Sequence, residues 1–576
     1  MIKYRIIRNQ IHYKGMIRLQ NVDLKITSQH VLNVFTRTFE PNILWINQGK
    51  IVATGEQEDF TANQTLDYSD KYLVPGFIDA HVHIESSLVR PSEFGKVLLQ
   101  QGTTSIFADP HEIANVYGTR GIDFMLEDAK KTQLNTFIML PSCVPCTSFE
   151  HNYEKLDAKK LRSYYQTPNV CGLAEIMDYP AVASKDADML EKINDCLANH
   201  RQIDGHGAGL NRQQLDIFQQ NHITTDHECS TPEQALERIK LGFYVFLREG
   251  TVERDLENII NVVNESNAQR FAFCTDDKLI SSLLEEGGIN YCIKLAIQHG
   301  IRPETAYTMA SYNAANAHHL SNLGALSSSF NADIVVLDDY QNVSIHSVIK
   351  DGEIINSTES HASNANCPSS MNFSITPNQL ELKMQSSKAN IIGVIPNHID
   401  TKHLIEDVTV ENNLFVPDTS KDQLKIVVVE RHHHLNTVGV GIVKGFKLQQ
   451  GAIASTIAHD SHNLIAVGTN DQAILNAILH LKEIDGGITV FDDQKELASM
   501  PLSIGGLMSD KPYQEANTDL KNVQDAYRSI SQEIKFDPFI TLSFLALPVI
   551  PTLKITDQGL YDFDQQKFIN VSNLEK

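Results

Sequence analysis

No stretch of this sequence comes near eighteen consecutive apolar residues, so no membrane-spanning helix is expected. Met1–Gln20 carries Lys and Arg without an apolar core, which argues against a secretory signal. Cysteine is scarce: eight in 576 residues, irregularly spaced, so no disulfide framework is expected and a reducing cytoplasm is the default compartment. Positive charge is in deficit, with 48 Lys and Arg against 71 Asp and Glu and a formal net charge of −23. That balance disfavours a broad nucleic-acid surface and favours solubility. Internal repeats and coiled-coil heptads are also absent.

What is present is an ordinary globular composition, 42% hydrophobic and 21% charged, in a chain long enough for two or three domains. Residues 1–75 hold short β-type runs (Ile17–Ile26, Ile43–Val52) and turn signals, and read as part of a small β-rich domain. From residue 76 to 320, short apolar strands alternate with helical patterns such as Gly121–Gln133, Ala187–Asn199 and Ile289–Gly300. Repeated βα units over this span fit a (β/α)8 barrel, typically of about 250 residues. Residues 321–370 return to β character at Ala332–Leu337 and end in a polar stretch, Ser357–Ser370, that reads as a linker. Residues 371–576 form a further α/β domain. The expected fold class is therefore α/β: a metal-dependent barrel, a small β-rich domain built from both its flanks, and a C-terminal α/β domain.

The stretch Val74–Ser87 organises the rest. A β-prone apolar run ends in His81-Val82-His83, and residues i and i+2 of a strand share a face. Two imidazoles buried beside Phe77 and Ile78 without partners are costly, and a shared metal ion is the economical explanation. Later strands end in polar residues too, where barrel chemistry sits. Thr103–Ala108 runs into Asp109-Pro110-His111-Glu112, and Val170–Ala174 into Glu175. His206 follows Asp204-Gly205, His227 lies between Asp226 and Glu228, and Phe271–Cys274 leads to Thr275-Asp276-Asp277. Singly, each has an ordinary explanation: turn histidines, a solvated carboxylate, a helix N-cap. Together, in barrel order, His81, His83, Glu175, His206, His227 and Asp276 form a two-metal inventory of imidazoles, a carboxylate bridge and a proton-moving acid. A different zinc signature, H-x-E at His83–Glu85 with C-x-x-C at Cys143–Cys146, leaves His81 and the later histidines unused, and Ser142 interrupts its Pro-Cys pair.

The order of these residues resembles that of the amidohydrolase superfamily and, within it, the bacterial adenine deaminase family. The matching stretches are Pro75–Ser87, Ala108–Val116, Ser142–Pro145, Gly172–Pro180, Asp204–Leu210, Asp226–Cys229, Leu247–Gly250 and Cys274–Asp277, continuing into Gln450–Asn463 and Pro501–Ser509. Many superfamily members bridge their metals with a strand-four lysine. None lies in Asn169–Asp178, whereas Glu175 does. Departures include Gly207-Ala208 after the strand-five histidine and His318-His319-Leu320 in place of Phe-Gly-Leu; none removes a ligand.

The resemblance implies hydrolytic deamination of adenine to hypoxanthine and ammonia by a metal-activated hydroxide, in purine salvage. It implies two divalent ions, Mn²⁺ foremost and Fe²⁺ second, and a cytoplasmic homo-oligomer, a dimer. On this reading His81, His83 and Glu175 hold one ion, and Glu175, His206 and His227 the other. Asp276 moves the proton. Asp109, His111, Glu112 and Glu228 are the candidate purine contacts, with Asp109 and Glu112 favoured. Asp277 is expected to cap the following helix, and Ser86, Ser87 and Arg248 stand between pocket and purely structural roles. His432-His433-His434 and His459-Asp460-Ser461-His462 are open between a second metal site, a flap over the pocket and a solvated loop. The competing readings are another amidohydrolase acting on a cyclic amide or related heterocycle, and a non-catalytic barrel that has lost ligands.

Overall fold

The computed structural model describes residues 20–355 and 367–574. The first residues of the run expected at Ile17–Ile26, and residues 357–366 of the expected linker, lie outside them. Eight parallel strands make the barrel: β1 (Phe77–Val82), β2 (Thr103–Ala108), β3 (Asn135–Leu140), β4 (Val170–Ile176), β5 (Gln202–Gly205), β6 (Thr225–Asp226), β7 (Tyr244–Arg248) and β8 (Phe271–Cys274). β1 to β5 pair in sequence, as do β6 to β8. Nearly every residue in them is buried, as both faces of a parallel sheet are covered. Ile78, Ala80, Phe107, Met139, Ala174, Phe246 and Ala272 form one apolar cluster. His318 joins it, stacked on Phe107 with ring centroids 3.5 Å apart and its Nε2–H donating to the Ala80 carbonyl at 2.8 Å. Burial pulls its pKa down to about 3, so the ring is neutral and packs as an aromatic group.

Two seams close the ring. Between β8 and β1 the Asp276 N–H donates to the His81 carbonyl at 3.1 Å and the His83 N–H to the Asp276 carbonyl at 3.2 Å. Beside them the buried Asp79 carboxylate accepts the Thr275 N–H at 3.0 Å and its hydroxyl at 2.5 Å. Between β5 and β6, Thr225 Oγ1 donates to Asp204 and accepts the Gly205 N–H.

One eight-stranded sheet combines five strands from residues 20–75 with three from residues 334–354. The small domain is thus built from both flanks of the barrel. The junction is tight: a Cβ at Gly76 would lie 2.2 Å from Thr104 Oγ1, which only glycine avoids.

The C-terminal domain centres on a second eight-stranded, mainly antiparallel sheet. The helix Asp471–Glu483 covers one face with Ala473, Ile474, Ala477, Ile478 and Leu481, against Val427, Val429, Ala454 and Ala466. Its N-cap Asn470 side chain accepts the Ala473 N–H. Buried residues of this domain and of the barrel belong to one continuous apolar cluster. Backbone bonds tie them as well, as where the Ser509 N–H donates to the Leu88 carbonyl at 2.8 Å. Among the described residues no helix is long and apolar enough to cross a membrane.

Candidate active site

His81 and His83 leave β1 on one face, as the period of a strand requires, and their Nε2 atoms are 3.1 Å apart. Glu175 stands near the end of β4 between three imidazoles: Oε1 is 3.4 Å from His83 Nε2, and Oε2 is 3.1 Å from His227 Nε2 and 3.9 Å from His81 Nε2. Asp276, just past β8, presents Oδ1 at 3.1 Å from His83 Nε2 and 3.6 Å from His81 Nε2. His206 lies further round, within ligand range of His227 and Glu228. The structure therefore gathers all six expected ligands at one rim and adds Glu228 beside His206.

Asp226 holds the two later histidine turns. Its carboxylate accepts from Gly207 N–H at 3.0 Å, Glu228 N–H at 2.9 Å and the buried Arg238 Nε–H at 2.8 Å. A Cβ at Gly207 would sit 2.4 Å from Asp226 Oδ2, so the glycine there makes room for the carboxylate. Arg248, from the end of β7, donates Nη1–H to Asp276 Oδ2 at 2.9 Å and to Glu228, while Nε–H and Nη2–H go to Asp255. It fixes Asp276, whose backbone is in the left-handed region at φ 53°.

The donor set fits cations. His83 Nδ1–H donates to the Asp109 carbonyl at 3.1 Å, which turns Nε2 towards carboxylate oxygens of Glu175 and Asp276. Such contacts need a positive charge, from a ring proton or a cation, and four imidazoles with several carboxylates supply ligands for a pair of divalent ions. Charge on the rings and the carboxylates is linked: burial lowers His83, yet Asp277, Asp276 and Glu175 raise it well above its ordinary value. Burial alone would raise Glu175, but hydrogen bonds from His227 and His83 outweigh it and hold the carboxyl well below its ordinary range. Asp276 is likewise raised by burial and held well below it by His81 and His83. Burial lowers His227, yet Glu175 and Asp276 push it up to about 9.

The expected purine contacts divide. His111 and Glu228 line the cavity beside the ligands. Asp109 and Glu112, the favoured pair, are not in that lining, but Asp109 presents a carboxylate oxygen within ligand range of His83, His111 and Glu175, and Glu112 one within range of His459 and His462. Asp109, ahead of the short helix His111–Tyr117, meets His111 Nδ1 with Oδ2 at 3.1 Å, and Glu112, on that helix, accepts from Ser86 Oγ at 2.8 Å with Oε1. The expectation for Asp277 is corrected. The next helix begins at Ile280 with no side-chain cap, and Asp277 instead accepts from Ser86. Ser87 merely bonds the Ile84 carbonyl. Cys146 donates to Glu150, and among the described residues no cysteine joins a metal-ligand group, so the H-x-E/C-x-x-C reading has no geometry behind it.

The roof of the cavity comes from the C-terminal domain: Ile399, His459, Asp460, Phe544, Leu547 and Ile550. His462 Nε2 is 3.6 Å from Glu112 Oε2, and Asp460 Oδ1 is 3.5 Å from His111 Nε2. Sequence reading left His459 and His462 undecided and assigned nothing to Asp460 or to the cavity-lining Glu253, whose two buried carboxylate oxygens have no hydrogen-bond partner. The family-like stretch around His459 was the signal available. His432 and His433 brace loops by donating to the Ser461 and Asn152 carbonyls, and His434 is exposed. The space beside these groups is about 30 Å³ and half open to its surroundings, so a larger substrate needs part of the wall to move.

Residues 72–355 match the family model described as "Amidohydrolase family", and residues 398–567 match "Adenine deaminase C-terminal domain". The chain is 50% identical over 562 residues to an adenine deaminase of Lactiplantibacillus plantarum, covering 96% of this chain and 98% of that one. It is 48% identical over 554 residues to adenine deaminase 1 of Oenococcus oeni, covering 96% and 100%. With an adenine deaminase of Listeria innocua it shares 48% over 550 residues, covering 94% and 95%.

Proposed function

From the premise that the chain belongs to the adenine deaminase family of amidohydrolases, we propose how its rim converts adenine and water to hypoxanthine and ammonia. His81, His83 and Glu175 would hold one divalent ion, and Glu175, His206 and His227 the other, with Mn²⁺ foremost and Fe²⁺ second. Bound there, such ions supply Lewis acidity that brings the pKa of water towards neutrality and polarises the carbon under attack.

The chain's own residues then handle orientation and protons. Asp276, fixed by Arg248, takes a proton from the attacking water as oxygen joins C6 of the purine. It delivers that proton to the exocyclic nitrogen as the C6–N bond breaks and ammonia leaves. The second water proton ends on the ring nitrogen of hypoxanthine. His111 and Glu228, on the cavity wall, contact the purine. Asp109 and Glu112 act through them, Asp109 by holding His111 and Glu112 by holding Ser86 and the roof.

The observation that carries this reading is the convergence of four imidazoles, Glu175 and Asp276 within a chain that matches adenine deaminases along nearly its whole length. The compartment we propose is the cytoplasm, where free adenine is salvaged; all eight cysteines are free and buried. The test is metal analysis of protein produced with manganese, followed by adenine-to-hypoxanthine absorbance, with hydantoin ring opening assayed alongside. Two equivalents of metal with adenine turnover are expected. Hydantoin opening without ammonia release from adenine would assign the chain to the competing cyclic-amide hydrolases.

A further inference from the structure

The turn Ala458–Asn463 is built to a fixed shape from behind. The His462 N–H donates to the Ala458 carbonyl at 2.7 Å, and the Ala458 N–H to His462 Nδ1 at 3.2 Å. The buried Arg431 donates Nε–H to the His462 carbonyl at 2.5 Å and its other N–H groups to the carbonyls of Ser370 and Gly505. His432 holds the Ser461 carbonyl, and Asn463 bridges to the barrel side through the His151 carbonyl at 2.9 Å. His459 is stacked on Phe544 with centroids 4.4 Å apart. The product of this scaffolding is a carboxylate, Asp460, only 2% exposed and on the cavity wall.

Its two oxygens differ. Oδ1 lies 3.5 Å from His111 Nε2 and 3.7 Å from His459 Nδ1, whereas Oδ2 is buried with no hydrogen-bond partner. Leaving a buried carboxylate oxygen without a donor is costly, and such oxygens are found where a ligand supplies the donor. Free adenine has N–H groups in two places: the exocyclic amine, which reacts, and one nitrogen of the imidazole ring. A nucleoside lacks the second and carries a sugar in its place.

We propose that Asp460 is a specificity-determining residue contributed by the C-terminal domain: it accepts the imidazole-ring N–H of the purine and so selects the free base over N9-substituted purines. The aromatic pair His459 and Phe544 flanks it as an apolar surface for the ring. The assignment rests on the adenine reading above, because it presupposes a purine in this cavity.

Purine and 9-methylpurine, which lack the reacting amine, probe it as competitive inhibitors of adenine deamination by the metal-loaded enzyme. The wild type is expected to bind purine about 10- to 100-fold more tightly than 9-methylpurine, as for a hydrogen bond to a charged acceptor. In Asp460→Ala the preference falls to about threefold or less, with metal content and melting temperature unchanged. Asp460→Asn keeps shape and one acceptor oxygen, and its preference falls between those of the wild type and the alanine variant; it carries the same readout should the alanine variant not fold. An unchanged preference in either variant, or one lost only together with bound metal, overturns the role of Asp460. Failure of the metal-loaded wild type to release ammonia from adenine would instead overturn the adenine reading.

Discussion

At the rim of the cavity each functional side chain hangs at or near the end of a barrel strand; at the roof, the cavity-facing groups sit on turns that other turns hold in place. His81 and His83 need only the strand period and a parallel sheet to converge. Asp460 needs Arg431, His432 and Asn463, residues from two places in the C-terminal domain, before it faces His111. The rim thus concentrates charge for ions and protons, and the roof shapes what lies over them. Lesions in the two regions should differ in kind as well as in size.

The largest effect is expected at the centre of the rim. Glu175→Ala should lose bound metal and adenine turnover together, by about 10⁴-fold or more, as read by metal analysis with an ammonia assay. Full metal content in that variant would break the idea that the carboxylate joins both ions. Next, Asp276→Asn should keep its metal while turnover drops by about 10³-fold; deamination near the wild-type rate would defeat its assignment as proton carrier. A roof lesion should leave the metal alone. Arg431→Gln strands buried carbonyls of His462, Ser370 and Gly505, so stability should fall by about 2–3 kcal/mol and kcat/KM for adenine by about tenfold, at unchanged metal stoichiometry. Loss of metal in that variant would erase the distinction between rim and roof.

The smallest effect sharpens the comparison through pH. Lys554 is buried and donates Nζ–H to the carbonyls of Ile399 and Phe544, two roof residues, at 2.6 and 3.0 Å. Burial pulls its pKa down to about 7, with Asp400 pushing back. An unfolded lysine titrates near about 10.4. Between these values the unfolded chain binds more protons, so this group makes stability rise with pH from 7 towards 10, by up to about 1.4 kcal/mol per unit. Below pH 7 both states are protonated and the slope vanishes. Denaturant titrations of Lys554→Met should lack that rise; an identical pH profile would show that the lysine is solvated in the folded protein.

The same division explains what could be read from the sequence. β8 was legible as Phe271–Cys274 because a short apolar run bounded by polar residues has one reading in a βα repeat. The six rim ligands were legible for a related reason: each follows such a run. Asp277 was misread because a local rule, the N-cap, was applied where a partner 191 residues away in sequence, Ser86, takes the carboxylate instead. The partners of Glu112 were not legible, since the tilt of the short helix after β2 that carries it is set by packing and not by spacing. Asp460 carried no signal of its own. A carboxylate in a polar turn looks solvated until the turn is known to be buried beneath another domain.

The β8–β1 seam has a further consequence, for how the ring is fastened. Asp79 on the first strand and Thr275 beyond the last are 196 residues apart in sequence, and the loop-closure entropy of joining them is borne by a few backbone and hydroxyl hydrogen bonds. His81 and His83 lie on one side of that join and Asp276 on the other, so a cation held by the two histidines would sit beside that join and draw the Asp276 carboxylate towards it. Loading the site would then fasten the barrel as well as arm it, since by mass action a bound metal stabilises the folded ring by RT ln(1 + c/Kd), with c the free metal concentration. The part of the chain that does the chemistry is also the knot that ties its two ends.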